Sequence, residues 1–228
     1  YLCIDIFCSY SWRGIYLENN PRSCIRSTWH FLLFNMKEKT RCGWCLSDQA
    51  YIKYHDEEWG RAVHSDQIHF EFITLEGAQA GLSWLTILKR RDGYRKAFKN
   101  FDPKKVSKMT TQDVSRLMKD AGIIRNRLKI ESTITNAQAF IKIQKEFGSF
   151  DKYIWGFTGR KIINNSPKNL KDLKSSTPLS DEISKDLKKR GFRFVGSTIV
   201  YAYMQATGII DDHLTSCFRK KLVSVKKG

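Results

Sequence analysis

What this chain has little of narrows its class first. Only 4 of its 228 residues are proline, so few positions forbid a helix and long helical stretches are permitted. It has no apolar run of about 18 residues, which excludes a membrane-spanning helix. Cysteine is sparse after residue 35: Cys3, Cys8 and Cys24 precede that point, and Cys42, Cys45 and Cys217 follow it. The body is thus too poor in cysteine for a disulfide framework. With no recognisable secretory leader either, it is expected in a reducing compartment. Acids are scarce too, at 23 Asp+Glu against 40 Lys+Arg. No Gly-rich phosphate loop, nuclease-like carboxylate cluster or serine-triad motif occurs, so nucleotide hydrolysis, nuclease chemistry and serine catalysis find no support.

What is there begins with the formal net charge of +17. Attraction to phosphate scales with such charge, so the expected partner is a polyanion, most simply nucleic acid. Residues 1–35 show neither a helical nor a strand period and read as an extension outside the fold; Met36 follows them. The rival reading is a targeting or regulatory arm. Residues 221–228 form a short basic tail. Between them the pattern is mostly helical. Ser65-Asp66 is predicted to cap a helix through Gly81, and Ser83 to Phe98 continues it. Asp102-Pro103 and Thr110–Asp113 begin short helices, and Arg127 to Phe147 forms a long amphipathic one. Ser180-Asp181 is predicted to cap a helix ending at Arg190, and Gly196 to Thr207 is largely apolar. No run alternates cleanly enough to be a strand, so the expected class is all-α, with Arg160–Pro178 as an exposed loop.

Two pairs of metal-ligating residues sit at opposite ends of the body. Cys42 and His55 lie near its start; His213 and Cys217 lie near its end, spaced so that both can converge from one helix or turn. Cys₂His₂ is the ordinary composition of a closed structural zinc site, and such a site would join the two ends. Spacing alone suits free cysteines and core histidines equally well, and Cys45, in Cys-x-x-Cys with Cys42, is a rival ligand. His30, His64 and His69 have no partner pattern. Glu76 falls among Gly77, Ala78, Ala80 and Gly81, small residues that leave space for a ligand or for a second helix. Read alone, it is a glutamate that caps or pairs at a helix junction. Trp44, Tyr51, Tyr54 and Trp84, taken singly, read as core.

The segments around these residues change that weighing. Arg41-Cys42-Gly43-Trp44, Tyr54-His55-Asp56-Glu57-Glu58-Trp59-Gly60, Leu75-Glu76-Gly77 with Gly81-Leu82-Ser83-Trp84, and Asp212-His213 resemble the 3-methyladenine DNA glycosylase I family. So do Lys188 through Gly196 and Tyr203-Met204-Gln205-Ala206. The resemblance spans roughly residues 40–218. It implies an all-α, helix-hairpin-helix DNA glycosylase-like domain over 36–220, with structural zinc on Cys42, His55, His213 and Cys217 joining the N- and C-terminal parts. It also implies that Glu76 is the pocket carboxylate and the catalytic candidate. Trp44, Tyr51, Tyr54 and Trp84 become walls that stack a base flipped from the duplex.

Gly191-Phe192-Arg193-Phe194-Val195-Gly196 resembles the hairpin of that superfamily. Gly191, Arg193, Gly196 and Lys189 are the expected contacts to the phosphates of double-stranded DNA carrying alkylated bases. The implied activity is monofunctional: hydrolysis of the N-glycosidic bond of 3-methyladenine in base-excision repair. No membrane or obligate protein partner is expected, and the expected location is bacterial cytoplasm, at the nucleoid. The alternative is a non-catalytic, zinc-stabilised protein that binds DNA lesions. Asp211 departs from the family's Asn-Asp-His pattern, and reads either as a second carboxylate or as a partner of His213.

Overall fold

The computed structural model describes residues 39–220. The extension read over residues 1–35, Met36 and the basic tail at 221–228 lie outside them. In chain order the helices are α1 (Gln49–Glu57), α2 (Asp66–Gln79), α3 (Trp84–Leu88), α4 (Arg91–Ala97), α5 (Pro103–Val106), α6 (Thr111–Leu117), α7 (Arg127–Phe147), α8 (Phe150–Gly156), α9 (Pro178–Lys189) and α10 (Ser197–Ala206). Two-residue strands, β1 (Ile163–Asn164) and β2 (Ile210–Asp211), pair in parallel.

The fold is organised around α2, which is buried without interruption from His69 to Ala78. A helix with no solvent face must be enclosed by others, and α3, α7, α8 and α10 pack on it. The aromatic heart is Phe70, Phe140 and Phe150, with the last two rings stacked at 4.1 Å. The long helix α7 has the predicted bounds because both ends are specified locally. The Asn126 side chain accepts the Lys129 N–H at the start, and Gly148 turns left-handed at φ +84° at the end.

Elsewhere local signals were overridden. Ser65 makes no side-chain cap for α2, and the Asp66 carboxylate instead accepts the N–H groups of Phe150 and Asp151 at 2.9 and 2.8 Å, capping α8 from a distance. The same helix stops at Gln79 rather than Gly81, because Ala80 leaves helical geometry. The predicted continuous stretch from Ser83 to Phe98 is two helices, broken between Leu88 and Arg91. Helix α9 begins at Pro178, capped reciprocally by Thr177 and Ser180, so Ser180-Asp181 sits in its first turn instead of capping it. The loop expected over Arg160–Pro178 contains β1, whose two residues are too few to show an alternation. The fold is therefore mostly helical with one minimal ladder.

Candidate active site

Helix α2 carries two buried glutamates with opposite surroundings. Glu71 is held by Arg91 Nε at 2.6 Å and Arg95 at 2.9 Å. Glu76, one and a half turns later, has no cation and no side-chain hydrogen bond among the described residues and is 4 % exposed. Burial alone pushes its carboxyl up from 4.5 to about 8. A buried acid left without a partner, where its neighbour on the same helix has two, has its carboxyl available to a ligand and is a candidate site residue.

Glu76 opens onto a cavity of about 320 Å³ lined by Trp44, Tyr51, Tyr54 and Trp84. The structure thus brings together every predicted pocket residue. Trp44 meets Tyr51 edge-on at 5.6 Å, and Tyr54 and Trp84 lie 5.4 Å apart. Tyr51 also positions α3: its hydroxyl accepts the Leu85 N–H at 3.0 Å, at the helix start that carries Trp84. The Tyr54 hydroxyl is pushed well above its ordinary value, first by burial and then by the Glu76 charge, so it stays neutral. Trp59, Gln79, Leu170, Leu173, Ala202 and Gln205 complete the wall and were not singled out from sequence. Trp59 and Gln205 sit inside motifs that were. Leu170 and Leu173 come from the stretch read as loop and carried no signal.

At the other side of Trp44, Cys42, His55, His213 and Cys217 are all buried, and their ligand atoms lie within 4.8 Å of one another. Cys42 Sγ is 3.7 Å from His213 Nδ1, and Cys217 Sγ is 3.5 Å from His55 Nε2. Tetrahedral bonds of about 2.3 Å to sulfur and 2.0 Å to nitrogen place S and N roughly 3.6 Å apart, so the donor set fits one ion. Each imidazole is oriented through its other nitrogen. His55 Nδ1 meets Asp56 at 2.8 Å and His213 Nε2 meets the Trp59 carbonyl at 3.2 Å. The Cys217 thiol is pulled below its ordinary value, first by the hydrogen bond from Cys42 and then by His213 and His55, against the cost of burial. Cys45 is not in this group; its thiol points to the Cys42 carbonyl at 3.0 Å. Asp211 accepts the His213 N–H and pairs with Lys220 at 3.2 Å, and it does not line the cavity.

The predicted hairpin joins α9 to α10. Gly191 adopts φ +95°, a left-handed turn that favours glycine, and Gly196 precedes the first residue of α10. Lys189, Gly191 and Arg193 are exposed there. Asn136 on α7, which the sequence did not flag, fixes the turn by accepting the Arg193 N–H at 2.8 Å and donating to the Arg193 carbonyl at 2.9 Å. Phe194 packs on α2 at Gly77, where a Cβ would approach its backbone oxygen to 3.3 Å. The hairpin therefore rests on the residue next to Glu76.

A family model described as Methyladenine glycosylase matches residues 44–220. The chain belongs to this family. DNA-3-methyladenine glycosylase of Haemophilus influenzae is 47% identical over 178 residues, covering 78% of this chain and 96% of that protein. DNA-3-methyladenine glycosylase 1 of Escherichia coli is 48% identical over 177 residues, covering 78% and 95%. Among solved structures of the family, a crystal structure of 3-methyladenine DNA glycosylase I superposes with a TM-score of 0.77 at 46% identity, covering 78% of this chain and 98% of that one. The Staphylococcus aureus enzyme, solved to define its recognition of 3-methyladenine, gives 0.77 at 37% identity, covering 79% and 96%.

Proposed function

We infer that this chain is a DNA-3-methyladenine glycosylase, a hydrolase of N-glycosyl bonds that removes the alkylated base from DNA. The observation that carries the site assignment is the single cavity in which an unpartnered Glu76 meets four aromatic rings. An adenine alkylated at N3 is cationic in DNA. Entering this cavity, it gains a cation–π contribution of about 1–2 kcal/mol from desolvated indoles, and its charge draws Glu76 back to the carboxylate. Undamaged adenine is neutral and gains neither.

The same charge makes the base a good leaving group. The bond from C1′ to the ring nitrogen breaks with its electron pair going to the base, which departs as neutral 3-methyladenine. Water then adds to the sugar cation and gives up a proton. The residues' part is to hold the flipped base and to stabilise developing charge in a dry pocket. No lysine lines the cavity, so it offers no amine for a Schiff base with the sugar, in keeping with monofunctional action.

The Cys₂His₂ donor set is the one that zinc prefers, and its buried, fully protein-supplied shell suits a structural role. Cys42, His55, His213 and Cys217 would hold the ion and tie the α1 segment to the chain's end. The exposed hairpin, with the start of α10 behind it and Lys189 and Arg193 beside it, is suited to gripping one strand of a duplex at its phosphates. Among the described residues no helix is long and apolar enough to cross a membrane, and we place the protein with bacterial DNA. Base release from methylated duplex DNA, separated by chromatography, tests the assignment. Wild type should free 3-methyladenine and Glu76→Ala far less. Binding of alkylated DNA without release by either protein would refute it.

A further inference from the structure

Gln205 and Gln79 both line the cavity, yet only one of these amides is fixed. Gln79 makes no side-chain hydrogen bond among the described residues. Gln205 Nε2 donates to Asp212 Oδ2 at 2.7 Å. Asp212 is 2 % exposed, and its carboxylate also accepts from the Tyr201 hydroxyl and the Asn165 amide, each at 2.7 Å. Burial and Asp212 push the Tyr201 hydroxyl upward, so it remains a donor.

Three donors converge on this one side chain, from Gln205, Tyr201 and Asn165. The Gln205 amide is therefore not free to turn over: its nitrogen is committed to Asp212, and its carbonyl Oε1 has no partner among the described residues. The backbone at Gln205 is anchored as well, since its carbonyl accepts the Gly60 N–H at 3.1 Å.

We propose that Gln205, oriented by Asp212, presents a hydrogen-bond acceptor to the bound base and sets a preference for an adenine edge over a guanine edge. This rests on the cavity being the base site. Adenine offers an exocyclic amino donor where guanine offers a carbonyl acceptor. A fixed acceptor completes a hydrogen bond with the first and faces an oxygen of the second. Charge and the aromatic walls do not make this distinction, because 3-methyladenine and 3-methylguanine carry the same charge and the same methyl group; it falls to the acceptors in the cavity, Glu76 and Gln205. Gln205 is a specificity-determining residue beside Glu76, and Asp212 positions it.

The test is the ratio of kcat/KM for release of 3-methyladenine and 3-methylguanine from one methylated duplex, measured for wild type, Gln205→Met, Asp212→Asn and Glu76→Gln. Gln205→Met keeps the side-chain length and removes the acceptor, so the ratio should fall about tenfold, the worth of one hydrogen bond in discrimination. Asp212→Asn lets the amide turn over and should lower the ratio in the same direction. Should Asp212→Asn fail to fold, Gln205→Met carries the test alone. Equal losses for both bases in Gln205→Met, or an unchanged ratio, would overturn the proposal while leaving the pocket intact, provided Glu76→Gln still slows release. If Glu76→Gln also leaves both rates unchanged, the base site lies elsewhere and both readings fall.

Discussion

Replacing Glu76 by Gln should make the protein more stable in alkali while making it a poorer enzyme. The carboxyl ionises near 4.5 in the unfolded chain but only at about 8 in its buried place, with burial as the cause. Between those values the folded state binds the extra proton. Glu76 therefore costs nothing below about pH 4.5, and folding loses stability as pH rises, until the loss levels off above about 8. At about 1.36 kcal/mol per pH unit the full loss approaches 5 kcal/mol, and entry of water into the cavity reduces it to about 3–5 kcal/mol. Gln has almost the same volume and no charge to bury, so it escapes the penalty. The assay is urea unfolding of both proteins from pH 5 to pH 9, reading the difference between them at each pH. That difference removes every other titrating group. Tyr54, whose hydroxyl in the cavity wall is raised by burial and by Glu76, stays protonated throughout. The variant should gain on wild type steadily up to about pH 8. Parallel stability curves would mean that Glu76 ionises freely in the folded protein, and the unpartnered pocket acid would be wrong.

Further outcomes follow from the same geometry. Cys217→Ser, or a strong chelator, should lower Tm and cost several kcal/mol, since the binding free energy of a structural ion is folding free energy; an unchanged Tm with metal absent by elemental analysis would contradict the site. Asn136→Ala removes both hydrogen bonds to Arg193 and should cost about 2–3 kcal/mol in urea unfolding, together with weaker DNA binding; full affinity would show that the hairpin holds its shape unaided. Arg193→Ala should weaken binding uniformly across sequences and make the plot of log affinity against log salt shallower by about 1. An unchanged slope would remove Arg193 from the phosphate contacts.

The sequence was most legible where local rules decide the outcome. Helix α7 has both its bounds, because Asn126 and Gly148 specify them without help from the rest of the chain. Resemblance supplied Glu76, the four aromatics and the Cys₂His₂ group, and the fold gathers each set into one place. What stayed hidden depends on partners far away in sequence. Asp66 does start α2, as its position suggested, but its carboxylate serves α8 some 84 and 85 residues on. Glu71 and Glu76 could not be told apart as paired and unpaired acids, because the arginines that decide it lie on α4. Asn136 and Gln205 are ordinary helical amides until the hairpin and Asp212 are set beside them.

The Cys₂His₂ group also bears on the order in which the protein forms. Cys42 and His213 are 171 positions apart, and His55 and Cys217 are 162 apart. Closing a loop of that length costs on the order of 4–5 kcal/mol in chain entropy before the pair can repay it. The two half-sites therefore meet only after the helices between them have shortened that path, which makes ion capture a late event rather than a nucleus. In a short zinc module the ion starts the folding; an ion held by these four residues would register that folding is complete. Metal uptake followed in real time beside tryptophan fluorescence should lag behind the main refolding phase.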